Sequence, residues 1–141
     1  MTEHHGVIED LAFPYKAPNA YRMLLDLGVQ ALPAVRVGLR HENPDVRLHC
    51  CRFLDRYLSH DTLSDLMGML SDSDERVRCS ALHTLACDRC KEGACRPEEA
   101  EVLSTAMNLL KRDPQAHVRA MAIEVVGQFI HTNAFAAAAI S

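Results

Sequence analysis

Tryptophan is absent from this 141-residue sequence, and the other aromatics are few: four Phe and three Tyr. Sandwiches and barrels build their cores from aromatic and β-branched runs. A chain short of aromatics but rich in Leu, Ala and Val points instead to helices packed through aliphatic seams. No apolar run reaches the roughly 18 residues that mark a membrane span. The first residues, Met1-Thr2-Glu3-His4-His5-Gly6, lack the basic and then hydrophobic order of an export signal. A soluble cytoplasmic protein without membrane association is therefore expected. An excess of basic charge is missing as well, since 15 Lys and Arg face 19 Asp and Glu for a net charge of −4. Proteins that track phosphates usually carry a basic surplus or stripe, so nucleic acid is a disfavoured partner. There is no Gly-rich phosphate loop and no serine with a legible His–Asp arrangement, so no catalytic residue is assigned and an enzyme is not expected.

What is present is enough for one ordered domain, with 48% hydrophobic and 24% charged residues. It is also repetitive. Val46-Arg47, Val77-Arg78 and Val118-Arg119 each open a similar segment. Four residues after each valine stands a small residue (Cys50, Ala81, Ala122), and eight after it an aliphatic one (Leu54, Leu85, Val126). Offsets of four and eight fall on one face of an α-helix. A matching helix precedes each segment, with its apolar residues three and seven apart: Leu32, Val35 and Leu39; Leu63, Leu66 and Leu70; Leu103, Ala106 and Leu110. Short polar stretches separate the partners. They are rich in capping and turn residues, including Asn43-Pro44, Asp72-Ser73-Asp74 and Asp113-Pro114. Asp72 or Asp74 can cap the second copy, and Pro114 suits a first helical position. Asn19 is placed to cap a helix over 20–27, which Gly28 would stop. The unit is a helical hairpin repeated three times, over about 29–59, 61–90 and 97–131. A cysteine-containing insertion at 88–96 lengthens the second connection. Residues 1–18 form an N-terminal arm ahead of a repeat domain at 19–141, which ends in a short C-terminal helix.

The run Leu27-Gly28-Val29-Gln30-Ala31-Leu32-Pro33 through Leu39, followed by Asp45-Val46-Arg47, Cys50 and Leu54, resembles the HEAT-repeat family, including the repeats of bilin-lyase type. The likeness covers about residues 20–131. It implies an all-α fold, a right-handed α-solenoid of three HEAT-like hairpins with short terminal elements. Most such proteins are scaffolds or adaptors, which makes a protein partner the leading expectation. A subunit or relative of a HEAT-like lyase, or a nucleic-acid-binding HEAT-like protein, is the alternative. The resemblance also implies that the recurring arginines Arg47, Arg78 and Arg119 tie each helix to an acidic side chain or carbonyl of a neighbouring unit. Asp45, Asp72, Asp74 and Asp113 are at hand. One residue recurring once per repeat serves stacking better than ligand binding, and a guanidinium fork suits such a ladder.

Stacked hairpins expose an array made mainly by the second helix of each pair. The outward residues of those helices are the candidate partner contacts: His49, Arg52, Arg56, His83, His117, Glu124 and Gln128. Apolar residues near the C-terminus (Phe129, Ile130, Phe135, Ile140) offer a face for self-association. Six cysteines add a separate question. The adjacent Cys50 and Cys51 look like small packing residues. Cys79, His83, Cys87 and Cys90 form a stripe too long for one ion, since it would span about 16 Å of helix. His83, Cys87, Cys90 and Cys95 could surround a zinc ion if the helix ends near Cys87 and the insertion folds back. A redox-active Cys87/Cys90 pair and unligated thiols are the other readings, and no other cofactor is expected.

Overall fold

The computed structural model describes residues 4–57, 60–86 and 99–127. Within them all regular structure is helical: α1 (His5–Asp10), α2 (Ala17–Leu27), a short 3-10 turn (Gly28–Ala31), α3 (Leu32–Gly38), α4 (Pro44–Leu54), α5 (His60–Met69), α6 (Glu75–Ala86), α7 (Glu99–Arg112) and α8 (Ala116–Gly127). Among the described residues, no helix is long and apolar enough to cross a membrane.

The apolar offsets counted along the sequence become the core. Val46, Cys50 and Leu54 on α4 are fully buried, as are Val77 and Ala81 on α6 and Val118, Ala122 and Val126 on α8. Val35, Leu66 and Ala106 supply the facing layer from α3, α5 and α7. Each Val or Leu so enclosed contributes roughly 1.5–3 kcal/mol. Helix α3 packs on α4, α5 on α6 and α7 on α8, while α4 packs on α6 and α6 on α8. The second helices of successive pairs thus lie side by side. At the N-terminal side α1 packs on α2 and α3, and α2 packs on α4. That pair therefore precedes α3 and α4 in the same two-layer order. Leu11 between α1 and α2 is buried, whereas Phe13 stays 45% exposed.

Local chemistry fixes the helix starts. The Asn43 side chain accepts from the Asp45 N–H at 2.8 Å, with Pro44 at the first helical position of α4. Asp74 does the same for α6, accepting from the Arg76 N–H at 2.8 Å. Pro114 lies two residues ahead of α8 rather than inside it, because the turn is closed earlier, by Asp113 accepting from the Gln115 N–H at 3.0 Å. Helix α2 begins at Ala17, not after Asn19, and has no side-chain cap. Pro18 in its first turn has the fixed φ a helix start requires and lacks only a donor that would be unpaired there. Gly28 ends α2 at φ 61°, a left-handed value that a side chain resists. Helix α3 approaches α4 closely at Gly38, where an added Cβ would stand 2.5 Å from Cys50 Sγ.

Candidate functional site

Two features grow from the same helical register. The first is a ladder of side chains along the turns between paired helices. Five residues before each repeat valine stand His41, Asp72 and Asp113. Each accepts from the backbone N–H two residues on, through His41 Nδ1 at 3.0 Å, Asp72 Oδ1 at 2.8 Å and Asp113 Oδ1 at 3.0 Å. The arginine after the valine then joins neighbours. Arg47 donates from Nε and Nη2 to both oxygens of Asp72, at 2.9 and 3.2 Å, and from Nη1 to the carbonyls of His41 and Glu42. Arg78 repeats this one unit later, forking onto Asp113 at 2.8 and 3.1 Å while its Nη1 donates to the Asp72 and Ser73 carbonyls. Arg119 donates to the Asp113 carbonyl at 2.6 Å. A planar fork reaches a carboxylate and two carbonyls at once, which an ammonium cannot do in one plane. At the other end the polarity is reversed, with Glu9 Oε1 lying 3.0 Å from His41 Nε2.

The Arg78–Asp113 rung is the most enclosed, its side chains 11% and 2% exposed. Burial acts to raise the Asp113 pKa, but the Arg78 fork and the Gln115 N–H outweigh it and hold the carboxyl below its ordinary range. Asp45 and Asp74 take another role. Both bind Arg76, at 2.9 and 3.1 Å, so that this residue links α4 to α6. Hydrogen bonds to these two carboxylates hold Arg76 firmly protonated, against a smaller effect of burial.

The second feature is a groove of about 570 Å³ along α2, α4, α6 and α8, lined by Tyr21, Leu48, Arg52, Asp55, Arg56, Arg76, Cys79, Ser80, His83, Thr84, His117 and Met121. Four of the sequence-derived contact positions line it together: Arg52, Arg56, His83 and His117, all exposed. His49 sits beside it against the Tyr21 ring, with centroids 5.5 Å apart. Burial, and then the nearby Arg52 charge, lower the His49 pKa and favour its neutral form. Glu124 is exposed on α8. Gln128 lies outside the described residues, as do Phe129, Ile130, Phe135 and Ile140. Sequence reasoning passed over Arg76, Ser80 and Met121. Their signal was available, because offsets of −1, +3 and +6 from each valine trace a second helical face, adjacent to the buried one.

Of the zinc candidates, His83 stands in this groove, and Cys87, Cys90 and Cys95 fall outside the described residues. Among the described residues, no group of three His, Cys, Asp or Glu side chains could hold a metal ion. Cys50 and Cys51 are buried free thiols whose pKa burial pushes up to about 12. Cys79 is also raised, by burial first and then by Glu124 and Glu75. Thiols of this kind pack rather than react.

No curated protein and no solved structure gives a match to this chain. The family model for HEAT repeats matches it twice, over residues 8–86 and 32–106. These overlapping matches span most of the sequence and begin within α1. The buried valines, the helical pairs and the arginine at each repeat agree with them, and the chain belongs to the HEAT-repeat family.

Proposed function

We propose that this protein is an adaptor that holds a segment of a partner protein in the groove along α2, α4, α6 and α8. In this reading the α3–α4, α5–α6 and α7–α8 hairpins form a right-handed solenoid with the α1–α2 pair stacked ahead of them, and the Arg47, Arg78 and Arg119 ladder keeps the hairpins in register. The observation that carries the proposal is the groove itself. Four neighbouring helices contribute to it, its floor includes the apolar Leu48 and Met121, and its walls carry exposed Arg and His. An apolar centre inside a polar rim is the usual anatomy of a protein interface. Family membership supports an interaction surface in general, since a solenoid hosts many roles and the site must decide among them.

A groove-blocking variant tests this. His83→Trp places a bulky side chain on the exposed face of α6 inside the groove, and Ser104→Trp does so on the exposed side of α7, outside it. Affinity capture from native lysate should recover a protein with the wild type and Ser104→Trp that His83→Trp fails to recover. Equal capture by all three would move the interaction away from the groove, and no specific capture by any would remove the adaptor role.

A further inference from the structure

We infer that the groove selects an acidic peptide segment, with Arg52 and Arg56 receiving its carboxylates and the Leu48, Cys79 and Met121 floor receiving an apolar side chain between or beside them. This rests on the adaptor reading above and adds the chemistry of the guest. Arg52 lies in the last turn of α4 and Arg56 in the tighter turn that follows its end at Leu54, both exposed and both lining the groove. Among the described residues neither makes an ion pair, whereas Arg76 on the opposite wall is held by Asp45 and Asp74. These two guanidiniums, unpaired among the described residues, are thus a local positive pair on a chain whose net charge is −4. The Asp55 and Arg56 N–H groups donate to the Arg52 and Phe53 carbonyls, so four residues of this helical and 3-10-like backbone separate the two arginines by roughly 6–8 Å. Carboxylates at alternate positions of an extended segment, about 6.8 Å apart, or one turn apart on a helix, match that spacing. Each arginine can take a carboxylate through two parallel hydrogen bonds, which gives geometric selection as well as attraction.

The same walls disfavour the other guests. A basic segment would meet two arginines that no described carboxylate neutralises. A phosphate backbone needs a continuous cationic track, but here Asp55 interrupts the α4 wall and Glu75 and Glu124 lie close to Cys79 at the α6–α8 side. A volume of about 570 Å³ accommodates a few side chains of one segment, not a folded partner's whole face.

Selection of phage-displayed random dodecapeptides on the full-length protein tests the inference, run in parallel on Arg52→Glu/Arg56→Glu. The wild type should enrich sequences with two or more Asp or Glu near an aliphatic or aromatic residue. A synthetic peptide of that consensus should bind the double variant roughly tenfold or more weakly, and should bind the wild type more weakly at high salt. Arg52→Gln/Arg56→Gln, with its melting curve, separates loss of the cations from loss of the fold. Enrichment of basic or uncharged peptides, or of acidic ones indifferent to the double variant, overturns the acidic guest and leaves the adaptor reading standing. Enrichment of no peptide, together with binding of a single-stranded DNA oligonucleotide that the double variant loses, overturns both.

Discussion

Gly38 shows how one residue sets the spacing of a helix pair. Its Cα faces the Cys50 thiol on α4, and a methyl group there would stand 2.5 Å from Sγ and 3.3 Å from Ile8 Cγ2. Cys50 is fully buried and has little room to yield. Gly38→Ala should destabilise the protein by about 1–3 kcal/mol, as small-to-large changes in a packed core do. Adding Cys50→Ala should recover part of the loss, giving a coupling in a double-mutant cycle that independent sites would not show. Urea unfolding of the four proteins checks this. Asp113 carries the second prediction at this scale. Its folded pKa is depressed, so its ionised form contributes stability above the unfolded value, about 4, and that contribution fades as pH falls through the folded value. Asp113→Asn should cost about 3 kcal/mol at neutral pH, near the low end for breaking a buried ion pair, because an amide oxygen can still accept from Gln115. The gap between variant and wild type should narrow below pH ~4, as unfolding midpoints measured at both pH values would show. In the sequence Asp113 was one of four acids near the arginines. Only the packing of α6 against α8 brings its carboxylate to Arg78.

Each helix start among α4, α6 and α8 relies on a short side chain that turns back on the backbone, and these were legible because caps act over two or three residues. Asn43→Ala removes the oxygen that accepts from Asp45 and should cost about 1 kcal/mol. Asn43→Asp should largely restore it, and thermal melts of the three proteins give the comparison. Where the local signals competed, sequence reasoning placed boundaries less well. Asn19 is a good cap by type, yet α2 starts three positions earlier than that cap would set, at Ala17, with Pro18 in its first turn. Pro114 is a good first-turn residue, yet the Asp113 turn delays α8 until Ala116. In both cases a proline and a neighbouring polar residue offered two starts, and a local feature marks the one taken: Pro18 in the first turn of α2 and the Asp113 turn ahead of α8. The face at −1, +3 and +6 from each valine was equally visible in the sequence. That it lines a groove shared by four helices was not, because a helical period gives the face but not what stands opposite it.

Across the whole molecule, the arginine ladder should transmit stability from one unit to the next. In stacked repeats the interfaces between neighbours carry much of the folding energy. Arg78→Ala removes the rung joining the α5–α6 and α7–α8 pairs. Amide exchange in α8 should then accelerate by at least about tenfold, while α2 and α4, beyond the break, change much less. A uniform acceleration through all helices would mean that the units unfold as one and the ladder has no local role. The sequence by itself determined that the chain is helical, that its hairpins repeat, and which face of each second helix is apolar. These follow from offsets of three, four, seven and eight, which a single helix imposes without reference to its neighbours. Tertiary structure alone decided that Arg47 meets Asp72 and Arg78 meets Asp113, that Arg76 is neutralised by Asp45 and Asp74, and that Arg52 and Arg56 are left facing the groove. Such pairings depend on how each helix is rotated and offset against the next, and that is set by the packing of side chains far apart in the chain.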